Sequence, residues 1–393
     1  MRLLYTLTTY PPSVGGAQIH QHQLAQHLKS RHRIQVVSHW DRNRTDWLLG
    51  TTLKAPATSR DYTIDEIPVH RLGLSIPEKL RIAPWLLLYY PFMPVALSAI
   101  APITAQHLIP YAAKADLIHN IRIGREILSH ASWQAAQQHD IPFVFTPVHH
   151  PRWVGWRYRA YLELYRRAEG VIALTQAEKH TLISLGVKAD HIFVTGIGPV
   201  LADRAEPTGF LRRYALSAPI VLFLGQHYPY KGYRQLLQAT ALVWQQIPET
   251  QFVFIGPPVA DSETAFAEFT DRRIHRLGHV DLQTKTDAIA ACTLLCVPST
   301  QESFGGVYTE AWSFAKPVIG CPIPAVAEVI QDGVNGFLVA QEPTAIADRI
   351  LQLLLNPTQA TTMGIAGQQK VAAQLTWQKI ADRLETAYHT ILH

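Results

Sequence analysis

Glu302 and Glu310 stand on either side of a Phe304-Gly305-Gly306 turn in the stretch ESFGGVYTEAW. An ionised carboxylate offers only acceptors, so each of them suits a hydroxyl-bearing ligand. A glycine pair lets a ligand phosphate come close to the main chain. The amides of Phe304 to Val307 would open a helix, where the dipole favours an anion. The run LLCVPS before them reads as a strand, so the loop lies at the C-terminal end of a parallel strand, where open α/β sheets bind ligands. Together these residues suit a nucleoside diphosphate sugar. Glu310 would take the ribose diol, Glu302 the sugar, and the glycines the diphosphate.

A second group lies about seventy residues earlier, in LFLGQHYPYKGY. Gly225 would end a strand, Gln226 would follow it, and Lys231 would bring a point charge to a phosphate at the next helix start. A third glycine turn, TYPPSVGGAQIH, contains Gly15 and Gly16. It is not a G-x-G-x-x-G fingerprint, and no acidic residue closes a following strand.

His149 and His150 end the strand FVFT-PVHH, where a histidine can bind or polarise a sugar hydroxyl. Arg152, Trp153, Trp156, Arg157 and Arg159 make a basic-aromatic loop fit for an anionic acceptor, without any accompanying nucleic-acid motif. His20, His22 and His27 have no acidic companion nearby, so they are expected on the surface and not around a metal. Cys292, Cys296 and Cys321 are too few and too apolar in setting for a disulfide framework; they read as core in a reducing compartment.

The elements that must hold these residues alternate between apolar runs and amphipathic helices, the pattern of parallel strands with crossover helices. Strands are expected at 3–8, 34–38, 117–119, 143–146 and 170–174, with helices at 18–29, 129–138 and 177–185. A second series follows, with strands at 218–226, 250–258, 274–280, 294–300 and 333–339. Helices at 233–246 and 344–355 accompany it. The chain of 393 residues, 48% hydrophobic and 17% charged, therefore divides into two doubly wound α/β domains. The division falls as 1–204 and 205–376, with a closing helix at 377–393.

Charge is uneven. Residues 1–200 carry 21 Lys and Arg against 13 Asp and Glu, and the remainder carries 14 against 17. A basic first half fits an anionic partner or a solvated surface equally well. Residues 82–113 contain no Asp, Glu, Lys or Arg, but prolines 84, 91, 94, 102 and 110 interrupt them. Short buried helices are expected there, or an apolar face touching a membrane, in preference to a span. The N-terminal apolar run is too short for a signal peptide. A cytoplasmic protein is expected, with contact to the inner face of a membrane left open.

ESFGGVYTEAWSFAKPVI, with GQHYPYKG and ALTQAEKHTLISLGVKADHIFVTGIG, resembles glycosyltransferase family 4, the group 1 retaining enzymes of GT-B fold. The resemblance implies two Rossmann-like domains facing a cleft, the donor on the second and the acceptor on the first. It implies that Glu302 and Glu310 are the paired donor glutamates and that Ser303, Phe304, Gly305, Gly306 and Val307 supply the diphosphate backbone. Lys231 matches the diphosphate lysine, Gly16 the N-terminal glycine loop, and His150 the cleft histidine. His150, Lys231 and Glu302 are then the catalytic candidates, with His149, Arg152 and Trp153 toward the acceptor. Gln226 departs from the pattern, because the family commonly has an arginine there; His227 is one residue that could compensate.

The implied reaction moves a hexose from a nucleoside diphosphate sugar to a hydroxyl of a glycan or lipid-linked acceptor, with retention, without a metal and with no cofactor beyond the co-substrate. An epimerase of the same fold, or a nucleotide-sugar-binding protein without turnover, are the alternatives.

Overall fold

The computed structural model describes residues 1–13, 15–40, 47–122, 127–149 and 155–393. Contacts divide the chain into two units, Met1–Gly196 with Trp377–His393, and Ile197–Thr376. The join therefore falls at Gly196, eight residues before the 204/205 boundary expected from the sequence. Residues 197–204 go with the second unit: the Ala202 amide donates to Thr286 Oγ1 and Lys285 Nζ to the Val200 carbonyl.

The first unit has eight strands: β1 (Arg2–Thr9), β2 (Arg33–Trp40), β3 (Arg60–Ile64), β4 (Ile67–Arg71), β5 (Leu117–Ile121), β6 (Phe143–Thr146), β7 (Gly170–Ala173) and β8 (Ile192–Val194). They lie in the order β3-β4-β2-β1-β5-β6-β7-β8, parallel except for the β3/β4 pair. The polar β3/β4 hairpin was not expected, since a half-exposed edge pair lacks the apolar run that marks buried parallel strands. Order reverses between β1 and β5, and Gly15-Gly16 follow β1 at that switch point.

Helix Trp377–Leu392 packs on helix Gly16–Leu28 of this unit. Tyr388 pins it from inside: its hydroxyl meets His119 Nδ1 at 2.5 Å and the Tyr5 hydroxyl at 3.2 Å. Residues 82–113 form short helices, Ile76–Leu88 with Pro84 inside it, Met93–Gln106 with Pro102 inside it, and Ile109–Ala112. Met93–Gln106 is largely buried, as expected, but Leu80, Leu87, Phe92 and Val95 stand exposed. Among the described residues no helix is long and apolar enough to cross a membrane.

The second unit has six parallel strands: β9 (Ile220–Leu224), β10 (Gln251–Ile255), β11 (Ile274–Gly278), β12 (Leu294–Cys296), β13 (Val318–Gly320) and β14 (Gly336–Leu338). Their order, β11-β10-β9-β12-β13-β14, is the dinucleotide-fold arrangement with its reversal between β9 and β12. The Gly225–Lys231 and Ser299–Gly306 loops leave those two strands, so topology alone brings them together. Cys292, Cys296 and Cys321 are free and buried in this unit.

Candidate functional site

Two main-chain devices hold the loops after β9 and β12 against each other. Gly232 has φ +81°, and a Cβ on it would lie 2.4 Å from the Pro298 carbonyl oxygen, so only glycine permits this approach. The Thr300 amide donates to the Tyr230 carbonyl at 2.8 Å, and Gln341 Nε2 donates to both Tyr230 and Pro298 carbonyls. Across this seam Lys231 Nζ meets Glu302 Oε1 at 2.5 Å. Both side chains are mostly shielded from solvent.

Gly305 has φ +89°, and its missing Cβ leaves room for the Tyr308 ring, which would otherwise lie 2.4 Å away. That ring is buried, and its hydroxyl donates to the Val297 carbonyl at the end of β12. Gly306 differs. A Cβ there would meet only Ile197 Cγ2, at 3.6 Å, so packing does not demand a glycine. Helix Gly306–Trp312 begins here, and the Tyr308 amide closes onto the Gly305 carbonyl. The amides of Gly306 and Val307 precede the helical ladder, as at any helix start. Phe304 is buried, whereas Ser303 and Val307 are partly covered.

Glu310 is buried at 7% exposure. Lys285 Nζ, from helix Leu282–Ala291, meets its Oε1 at 2.7 Å and the Val200 carbonyl at the same distance. Oε2 is buried without a close hydrogen-bond partner. Burial pushes the Glu310 carboxyl up from its ordinary value, against the pull of the Lys285 ammonium and the Val200 main chain. Lys285 was not foreseen, because a helix lysine in LQTKTD carries no local signal of a partner 25 residues on.

Gln226 is exposed just after the end of β9. The neighbouring His227 cannot supply the charge that an arginine would bring. Its ring is fully buried among Phe223, Tyr233 and Phe266, and burial with the nearby Arg276 pulls it down to about 4. The site's second ammonium comes instead from Lys285.

In the first unit, Gly16 opens helix Gly16–Leu28, and a Cβ on it would meet nothing within 4 Å. His149 is buried, with its ring edge-on to Tyr165 at 5.9 Å, so no open face is turned to an acceptor. His150, Arg152 and Trp153 lie outside the described residues; Trp156 and Arg159 are exposed. His20 and His22, expected on the surface, are buried. The His20 ring packs at a tilt on Trp377, and His22 bonds the Tyr10 hydroxyl and Asp65. The closing helix and the β3/β4 hairpin cover them, and neither contact leaves a mark in the helix's own sequence. Among the described residues no three His, Cys, Asp or Glu side chains converge as metal ligands would.

Two family models match the chain: "Glycosyl transferase 4-like domain" over residues 15–198 and "Glycosyl transferases group 1" over residues 218–356. A phosphatidyl-myo-inositol mannosyltransferase of Mycobacterium tuberculosis is 31% identical over 45% of this chain and 49% of its own length. The chain thus spans about half the length of that relative. A D-inositol 3-phosphate glycosyltransferase of Xylanimonas cellulosilytica is 28% identical over 66% of this chain and 68% of its own. The crystal structure of HepE from Anabaena with UDP and glucose superposes with a TM-score of 0.76, at 20% identity, over 99% of this chain and 100% of that one. The fold is GT-B, and the chain belongs to the group 1, family 4-like glycosyl transferases.

Proposed function

We propose that this protein transfers a hexose from a nucleoside diphosphate sugar to a hydroxyl acceptor, with retention at the anomeric carbon and without a metal. The observation that carries this reading is the joining of Lys231 to Glu302 across the β9/β12 switch point, beside the open Gly306. A diphosphate arriving there takes the Lys231 ammonium, and Glu302 is released to accept from sugar hydroxyls. The Gly306 and Val307 amides complete the anion contacts, and Lys285 keeps the charge of two carboxylates balanced by two ammoniums. Donors already in place where charge develops on the leaving group lower the barrier with little reorganisation. In this reading Glu302 serves the sugar hydroxyls and not the anomeric carbon, and the attack is front-face, in keeping with the family resemblance.

The names of two relatives carry a phosphatidyl-inositol and an inositol phosphate. An anionic polyol or its lipid form suits the basic first half of this chain. The exposed Leu80, Leu87, Phe92 and Val95, with Lys79 and Arg81 flanking Leu80 in sequence, support contact with an anionic membrane surface.

Thermal unfolding with UDP-, GDP- and ADP-hexoses tests the reading. One class should raise the Tm of the wild type, since a ligand that binds only the folded state stabilises it. Lys231→Ala and Glu302→Ala should lose that rise and the slow hydrolysis of the same donor. A wild type that neither binds nor hydrolyses any of the three sinks the reading.

A further inference from the structure

The two loops that carry Lys231 and Glu302 are joined by a residue from a third loop. Gln341 lies between β14 and helix Pro343–Leu355. β14 is the edge strand of the second sheet, two places from β12 and three from β9. From there Gln341 Nε2 reaches back to the Tyr230 carbonyl at 2.9 Å and to the Pro298 carbonyl at 2.6 Å. Tyr230 directly precedes Lys231, and Pro298 lies four residues before Glu302. One side-chain nitrogen therefore serves both backbones whose side chains meet at the switch point.

The chemistry of this contact calls for an amide. A glutamine nitrogen carries two N–H groups, one for each carbonyl. Both partners are acceptors, so the nitrogen and not the oxygen must face them. A carboxylate of the same shape would set its charge against two carbonyl oxygens, and leucine would bring no donor at all.

Thr300 also bonds the Tyr230 carbonyl, through its amide at 2.8 Å and its hydroxyl at 3.3 Å. Those bonds already close the loop after β12 onto the loop after β9. Gln341 adds the tie to the Pro298 carbonyl, and Gly232 leaves it room, since a Cβ there would lie 3.0 Å from Gln341 Nε2. The Tyr230 ring centre lies 5.7 Å from Lys231 Nζ, so fixing Tyr230 limits where the ammonium can stand.

We propose that Gln341 is a positioning residue for the transfer step, holding Tyr230 and Pro298 so that the Lys231 ammonium stands ready where the leaving diphosphate forms. It acts through Lys231 and touches neither the diphosphate nor the sugar. This rests on the reading above, in which Lys231 receives the diphosphate.

The experiment compares the wild type, Gln341→Leu, Lys231→Ala and the double variant Gln341→Leu/Lys231→Ala. Gln341→Asn, which keeps the amide on a shorter stem, repeats the cycle where leucine harms the fold. The donors tried are UDP-glucose, GDP-mannose and ADP-glucose. Hydrolysis of whichever one binds gives kcat at saturation, and calorimetry with its nucleoside diphosphate gives Kd. Both are read at a temperature at which every variant is folded.

Gln341→Leu is expected to lower kcat about tenfold or more, as the misplacement of a preorganised cation does. Where Lys231 is already alanine, the same change should alter kcat and Kd less than about twofold, because the group it positions is gone. A merely structural residue would weaken the Lys231→Ala protein as much as the wild type. Equal losses in both backgrounds therefore overturn the proposal, and so does a folded Gln341→Leu protein with wild-type kcat. A wild type that neither binds nor hydrolyses any of the three donors overturns instead the donor reading on which the proposal stands.

Discussion

Lys285 Nζ lies 2.7 Å from Glu310 Oε1, and the same ammonium bonds the Val200 carbonyl, so one cation ties helix Leu282–Ala291 to helix Gly306–Trp312 and to the start of the second unit. The Glu310 carboxylate is nearly buried, whereas Lys285 keeps about a quarter of its side chain in solvent. Removing the lysine leaves a buried charge without its counter-ion. Replacing both partners removes the charge itself.

Lys285→Met should therefore destabilise the protein by about 1–3 kcal/mol, less than a fully buried pair would cost because Lys285 is partly solvated. Lys285→Met combined with Glu310→Gln should cost less than the sum of the two single changes. Urea unfolding of the four proteins measures the cycle. Additive losses would mean that the pair is not coupled.

Lys231 and Glu302 predict the opposite balance between stability and activity. The pair is partly covered but lies at a loop seam, and a pair of that kind contributes about 0–1 kcal/mol. Lys231→Ala should leave Tm almost unchanged and lower turnover about 100-fold or more, as the loss of a preorganised cation at a leaving group does. Steady-state rates at saturating donor, read beside a melting curve, check it. A large fall in Tm with turnover intact would place Lys231 in the scaffold and not in the chemistry.

Much of this site was legible in the sequence because its signals are local. Phe304-Gly305-Gly306 followed by Glu310 needs only a strand end and a helix start, and the alternation of elements already puts this loop and the Gly225–Lys231 loop at the C-terminal ends of parallel strands. The rest depends on partners distant in the chain. Lys285 acquires its role only when its helix lies beside Glu310. Gln341 looks like an ordinary loop residue before a helix until the Tyr230 and Pro298 carbonyls meet it. His20 and His22 sit on a helix whose pattern reads as half exposed, and the helix from Trp377 and the β3/β4 hairpin bury them. The Gly196 join was missed by eight residues because Ala202 and Val200 are held by side chains more than eighty residues on.

Buried histidines give the first unit an acid limit. Burial pulls His20 down to about 4 and His119 to about 3, each below the 6.5 of an unfolded histidine. Between those values the unfolded chain binds more protons, so stability is full above pH 6.5 and is lost as pH falls toward 4. Each histidine contributes a slope of about 1.4 kcal/mol per pH unit in that window. Urea unfolding at pH 7, 5.5 and 4.5 should show the loss, and His20→Phe should reduce the slope by about one proton. A stability curve flat from pH 7 to 4.5 would contradict the burial of both rings.

The two adjacent glycines separate a folding requirement from a binding one. Gly305 has φ +89°, and its Cβ would sit 2.4 Å from the buried Tyr308 ring, so Gly305→Ala meets backbone strain and a clash together. It should cost about 1–3 kcal/mol and lower Tm even without any ligand. Gly306 has ordinary helical backbone, and its Cβ would touch only Ile197 at 3.6 Å. Gly306→Ala should therefore melt within a degree or two of the wild type, since an unstrained Gly→Ala change in a helix is neutral or mildly stabilising. Its methyl would nevertheless occupy the space in which a diphosphate approaches the main chain, so donor affinity should fall about tenfold or more while the fold is untouched. Calorimetry with the stabilising nucleotide sugar distinguishes the two glycines. A Gly306→Ala protein that binds the donor as tightly as the wild type would show that the diphosphate does not lie against this turn.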